Sequence, residues 1–201
     1  MGRTSDARER ILAAGAELFG RRAYASIGVA EICAAAGVPK GSFYYFFPSK
    51  QALALEVVDR HWEWQRGEWT RILERPAPIV DRLRDLFVAT AEMQSEALKG
   101  TGAVVGCLFG NLALEVSAQD DPVRGRLQEI FEEQIDIVEK ALREAEAAGE
   151  VRLADARDSA KAIVAQIEGL VLFAKLYNDP AQLESLWRSS LLLLGLQEAV
   201  A

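Results

Sequence analysis

At 201 residues, 50% of them hydrophobic and 26% charged, the chain has the proportions of a globular protein with a real core. Its formal charge of −7 excludes a uniformly basic nucleic-acid coat, but the charge is unevenly spread. Residues 1–50 hold seven Lys/Arg against four Asp/Glu, a balance of +3, and residues 51–201 hold 16 against 26, a balance of −10. A lone histidine, His61, and two widely separated cysteines, Cys33 and Cys107, leave nothing to build a zinc site from, so no metal and no cofactor are expected. The N-terminus lacks the charge, apolar run and small-residue cleavage site of a signal peptide. Residues 103–113, broken by Asn111, and Leu191–Leu194 are too short to span a bilayer, so a cytoplasmic protein without membrane contact is expected.

Helical periodicity runs through the chain, and no convincing period-2 strand competes with it. Ile11, Gly15, Leu18 and Phe19 line one face of a first helix. Val29, Ile32, Cys33 and Ala36 stripe a short second helix, opened by Ser26 as N-cap and closed by Gly37. A third short helix starts at Pro39, and Ser49 caps a long fourth one running to about Leu73. The prolines at 76 and 78 break the chain before a helix through Leu83, Leu86, Phe87 and Thr90 toward Leu98. An apolar helix over about Val104–Ser117 follows Gly100 and Gly102.

Asp121-Pro122 and Asp179-Pro180 read as N-cap and first-turn pairs. The first opens a helix striped by Val123, Leu127, Ile130, Phe131, Gln134, Val138, Ala141 and Leu142. Another long helix covers about 155–177, and the last runs to about Gln197 on Leu183, Leu186, Trp187, Ser190, Leu191 and Leu194. The expected fold class is therefore all-α, with about nine helices. The functional boundary falls near Lys50, giving a head of residues 1–50 and a body of residues 51–201.

Within the head, residues 27–47 have the build of a helix-turn-helix: two short helices joined by a tight turn at Gly37, with Ala30, Ala34 and Ala35 allowing close packing. The second of these helices would lie in a major groove. Over residues 7–53 the chain closely resembles the TetR family. The likeness rests on the Ile11–Phe19 stripe, Ser26, the run Gly37-Val-Pro-Lys-Gly-Ser-Phe-Tyr-Tyr-Phe-Phe47 and Ser49-Lys50. It implies an N-terminal three-helix DNA-binding domain and a larger helical domain for ligand binding and dimerisation. It also implies that Lys40 and Gly41 approach bases, that Ser42, Tyr44 and Tyr45 contact bases or phosphates, and that Ser26 and Lys50 contact phosphates. Tyr44 and Tyr45 could alternatively be core, as Phe43 and Phe47 are expected to be. Phe46 stands where many relatives carry a phosphate-contacting histidine, so that contact is expected to be missing.

In the body, Gly106-Cys-Leu-Phe-Gly-Asn-Leu112 is similar to a motif of one branch of the family, in which this helix lines an effector pocket. Lys175 lies in a segment similar to the same branch. Asn111 and Lys175 are costly to bury without partners, so a pocket is expected from Phe87, Cys107, Asn111, Phe131, Phe173, Lys175 and Tyr177. In it Cys107 either reacts or only lines the wall. A dimer is expected through the eighth and ninth helices, with Ile163, Ile167, Leu170, Leu186, Trp187, Ser190, Leu191 and Leu194 as candidates.

The resulting expectation is a homodimeric, ligand-responsive regulator, most simply a repressor. It would leave a near-palindromic double-stranded DNA operator when a small molecule or electrophile binds. An activator role stays open. An all-α enzyme with Cys107 as nucleophile is not expected, because covalent catalysis needs an adjacent base and the one histidine is on another helix.

Overall fold

The computed structural model describes residues 2–116 and 120–196. Among them are nine α-helices and two short 3-10 turns, with no strand. The helices are α1 Gly2–Arg21, α2 Val29–Ala36, α3 Lys40–Phe46, α4 Lys50–Leu73 and α5 Ile79–Thr101, followed by α6 Leu108–Val116, α7 Asp121–Ala147, α8 Ala156–Tyr177 and α9 Ser185–Leu193. The all-α expectation holds. The chain separates into two compact units, one of residues 1–63 and 108–129 and the other of residues 64–107 and 130–201. Unlike the division expected near Lys50, the first unit takes in the opening of α4, all of α6 and the start of α7. Both long helices α4 and α7 thus contribute to both units.

The first unit is organised around α1. Ile11, Phe19, Ile32, Phe43, Phe47 and Leu53 are almost completely buried, and burial of such side chains contributes roughly 1.5–3 kcal/mol each. A Cβ at Gly15 would stand 3.0 Å from the Leu53 side chain, so α1 and α4 approach closely there and a larger residue would require Leu53 to shift by a few tenths of an ångström. Gly37 closes α2 at φ +62, the left-handed region open to glycine, and the Val38 N–H donates to the Cys33 carbonyl. Arg10 donates to the Gly37 carbonyl across this turn.

Two expected caps move by a residue or two. Ser26 ends the 3-10 turn Tyr24–Ser26 and donates its hydroxyl to the Ala23 carbonyl, while Gly28 occupies the N-cap of α2. A serine hydroxyl that closes its own turn is spent before the helix begins. Asp120, rather than Asp121, caps α7: its Oδ1 accepts from the Val123 N–H and also from Gln51 Nε2 on α4. Ser49 caps α4 as expected, accepting from the Ala52 N–H.

In the second unit, α5, α8, α9 and the later parts of α4 and α7 share one apolar core that includes Leu83, Leu86, Val138, Ile163 and Leu186. Arg66–Glu133 and Glu74–Lys140 ion pairs join α4 to α7 at nearly constant offset, so these helices run parallel along that edge. Asp155 caps α8 through the Asp158 N–H, and Asp179 caps the 3-10 turn Pro180–Glu184 through the Ala181 N–H. The helix expected from Val104 starts only at Leu108. Gly102 and Gly106 take positive φ, and between them the backbone is extended into a loop. The last helix, expected to run to about Gln197, ends already at Leu193, with Gly195 turning the chain at φ +65; Gln197 itself lies outside the described residues.

Candidate functional site

The best-defined candidate site is the outer face of α3. The helix is seven residues long and is anchored by Phe43 and then Phe47, both buried. Because side chains on a helix rotate by about 100° per residue, burying Phe43 and Phe47 turns the residues between them outward. Tyr44 is 51% exposed and Tyr45 75% exposed, which excludes the core alternative for both. Lys40 is exposed, and its ammonium lies 5.9 Å from the centre of the Tyr44 ring one turn on, so the two share a face. Ser42 is half-buried. Nothing lies within 4 Å of a Cβ built at Gly41, so that part of the surface is flat and open.

Lys50 departs from its expected role. Its ammonium donates to the carbonyls of Tyr24 (2.7 Å) and Ile27 (2.9 Å) and lies 4.1 Å from the centre of the Tyr24 ring. Burial lowers its pKa, with Glu115 acting in the opposite direction. It is a staple that holds the segment before α2 against the start of α4. Ser26 is exposed beside that segment. Cys33 is buried, as expected of a core residue, and burial pushes its thiol pKa up. His61 is half-buried with its ring edge-on to Phe109, and burial holds it below its ordinary pKa of 6.5.

The residues expected to line an effector pocket differ in burial and are shared between the two units. Phe87 is buried, Cys107 and Phe131 are half-buried, and all three belong to the second unit. Asn111 is half-buried in the first unit. Phe173, Lys175 and Tyr177 stand exposed near the end of α8, with the rings of Phe173 and Tyr177 stacked 6.4 Å apart. The expectation that Lys175 is buried in apolar surroundings is therefore corrected. The group placed against Cys107 is a carboxylate, Glu168, whose pKa burial raises while the hydrogen bond from the Cys107 thiol opposes that rise. Such a bond keeps the proton on sulfur, the reverse of what an adjacent ammonium would favour.

Sequence reasoning missed the polar side chains that fix the loop ahead of Cys107. Gln94 accepts from the Gly106 N–H (3.0 Å) and donates to the Gly106 carbonyl (3.2 Å). Asn178, in the left-handed conformation at the end of α8, accepts from the Val104 N–H (2.8 Å) and donates to the Gly102 carbonyl. Gln94 at least precedes the glycines at 100, 102 and 106 closely, whereas nothing in the sequence ties Asn178 to a loop more than 70 residues before it. No group of acidic, histidine or cysteine side chains suited to a metal ion occurs among the described residues. None of the described helices is long and apolar enough to cross a membrane.

Comparison with known proteins agrees with this geometry. Residues 11–57 match the family described as bacterial regulatory proteins, tetR family, and residues 80–190 match the tetracyclin repressor-like C-terminal domain. The HTH-type transcriptional repressor DhaR of Mycobacterium sp. (strain GP1) is 33% identical over 88% of this chain and 86% of its own length. The solved regulatory protein TetR from Rhodobacter sphaeroides superposes with a TM-score of 0.81 at 32% identity, covering 92% of this chain and 96% of that one. The reduced form of E. coli NemR gives a TM-score of 0.85 at 26% identity, covering 96% and 100%. With both halves matched, the chain belongs to the tetR family of bacterial regulatory proteins.

Proposed function

We propose that the protein is a homodimeric repressor whose α3 reads a near-palindromic operator and whose body releases the DNA when a small molecule binds. The observation that carries this reading is the outward face of α3: Lys40, Tyr44 and Tyr45 exposed around an unobstructed Gly41. Two solvent-facing tyrosines and a cation on a short helix have no packing role. A duplex supplies phosphates for the cation and hydroxyls, and base edges for whatever approaches over Gly41. The charge division supports it as well, since a head of +3 on a body of −10 directs phosphate to one end. Ser42 adds a neutral donor to that face, whereas the Ser26 hydroxyl proton is committed to the Ala23 carbonyl, leaving its oxygen only as an acceptor. Lys50 acts by holding the head in shape.

The run 106–112 supports placing the chain in the branch that carries Gly-Cys-Leu-x-Gly-Asn-Leu, and Phe87, Cys107 and Phe131 are the effector-wall candidates that remain. Binding alone, without catalysis, accounts for such a role, and the regulator acts in the cytoplasm with its DNA. A ligand can release DNA only by as much as it prefers the conformation that binds DNA poorly.

The test is a mobility shift with DNA from the promoter region next to the chain's own gene, repeated across salt concentrations. A specific complex should form and should weaken steeply with salt. Gly41→Val should leave the head folded, because its side chain has room, and should remove specific binding by holding the helix off the base edges. A folded Gly41→Val protein with ordinary operator affinity would overturn the assignment of α3.

A further inference from the structure

In the second unit, α7 presents a buried apolar face interrupted by a single amide. Ile130 and Val138, one turn either side, are completely buried, and Gln134 between them is only 1% exposed. Neither its Oε1 nor its Nε2 has a hydrogen-bond partner. Other buried polar side chains of the unit reach partners: Thr90 the Leu86 carbonyl, Gln94 both backbone groups of Gly106, and Ser190 the Gln166 amide. A side-chain amide removed from water without compensation is costly, and a methionine would fill the same space without that cost. An amide kept there without a protein partner is met either by buried water or by a ligand.

A second atom of the same kind lies on the neighbouring helix. Gln65 Oε1 on α4 is sealed from solvent and also lacks a partner. The Arg66–Glu133 and Glu74–Lys140 pairs set Gln65 level with residues 131–132 of α7. At about 1.5 Å of rise per residue, Gln134 is then only about 3–5 Å further along the helix axes. The two side chains stand at one level of the same unit.

We propose that Gln134 and Gln65 are the polar anchors of a binding site for a small uncharged molecule carrying a primary carboxamide. The unmet atoms define the complement: two acceptor oxygens and one donor amide nitrogen. A primary carboxamide offers two N–H donors and one carbonyl from a single planar head, which fits that set. A carboxylate would set its oxygens against both Oε1 atoms and would bring a charge with no neutralising partner there. Arg82, the buried cation of this unit, uses Nη1 on the Leu73 carbonyl and Glu144; its Nε has no partner, but Glu144 is ten residues from Gln134, about 15 Å along α7, so this charge is not at the level of the two glutamines. Phe131 and Ile135 beside Gln134 on α7 favour an apolar remainder of the molecule. The regulatory meaning of this site rests on the repressor reading above, whereas the binding itself does not.

The experiment uses the full chain without DNA, following thermal unfolding and calorimetric titration. The probes are butyramide and benzamide against butyrate, benzoate and N,N-dimethylbenzamide. The primary amides should raise the unfolding temperature, and the acids and the dimethylated amide should not. Gln134→Met should unfold at or above the wild-type temperature, because the stranded amide is gone. It should bind the amides at least about tenfold more weakly, from the loss of a buried hydrogen-bonded pair. Gln65→Met should weaken binding less, having lost one contact.

Equal shifts from amides and acids, an amide shift retained in Gln134→Met, or no amide shift at all would overturn the proposal. So would a Gln134→Met protein that unfolds earlier than wild type, since the amide would then be a fixture of the fold held by buried water. Operator binding by the unliganded protein is measured separately. Its absence would count against the repressor reading and leave amide binding untouched.

Discussion

The ammonium of Lys50 shows how a basic residue of the head can act inward. Its two carbonyl partners, on Tyr24 and Ile27, belong to the segment that sets the entry angle of α2. Lys50→Met keeps the aliphatic stem but strands both carbonyls, and should cost about 2 kcal/mol of stability in denaturant unfolding. A simple phosphate contact would instead lower DNA affinity with stability unchanged. Two half-buried titratable groups predict opposite responses to pH. The His61 pKa is depressed by burial, so its contribution is present above about pH 6.5 and is lost as pH falls through the folded value. The Glu168 pKa is raised, so its contribution is complete below about pH 4.5 and is lost as pH rises through the folded value. In unfolding measured between pH 5 and 8, His61→Phe should therefore gain on wild type toward acid. Glu168→Gln should gain toward neutral pH. Matching slopes in all three proteins would contradict both assignments.

Among the elements, the loop 102–107 takes its shape from other parts of the chain. It has no ladder of its own, and its backbone groups are met by Gln94 of α5 and Asn178 at the end of α8. Gln94→Leu would leave the Gly106 N–H and carbonyl without their partner in a partly buried place, which costs about 2–3 kcal/mol. With the loop loosened, alkylation of Cys107 by iodoacetamide should accelerate, and unchanged rates would show that Gln94 does not position this loop. The loop also marks where sequence reading stops. The run from Val104 to Ala113 is apolar and helix-like in composition, and nothing in it reveals that Gly106 takes a positive φ and delays α6 to Leu108. By contrast, the turn at Gly37 and the burial of Phe43 and Phe47 were legible, because a fixed spacing of small, apolar and proline residues permits few backbone paths. The Cys107–Glu168 contact was not legible: it joins residues far apart in sequence, and periodicity says nothing about which helices meet.

At the scale of the whole molecule, periodicity identifies apolar stripes without saying what covers them, and this is why the expected dimer residues need correction. Ile163, Ile167, Leu186, Ser190, Leu191 and Leu194 are buried within the chain itself, and Leu170 and Trp187 are partly so, the latter under the guanidinium of Arg84. Besides Trp64, Val88 and Leu114, which lie on three separate helices, the exposed apolar side chains of the body are on α8 at Leu172, Phe173, Leu176 and Tyr177, and on α9 at Leu192 and Leu193, all 47% exposed or more. Positions 172, 173, 176 and 177 follow the i, i+4 spacing of one helix face, so they form a continuous stripe rather than scattered exposures. A second copy of the chain, with its own stripe related by a two-fold axis, would cover it and bring a symmetric pair of α3 helices to a palindrome. On this argument Leu176, at 70% exposure, contributes nothing to the fold of a single chain. Leu176→Glu should leave helical content intact and place like charges across the axis, opposing association. Sedimentation at micromolar concentration should then show a monomer where the wild type is a dimer, and operator affinity should fall because each half-site is held alone. A Leu176→Glu protein that remains dimeric would move the interface off this stripe, whatever its effect on DNA.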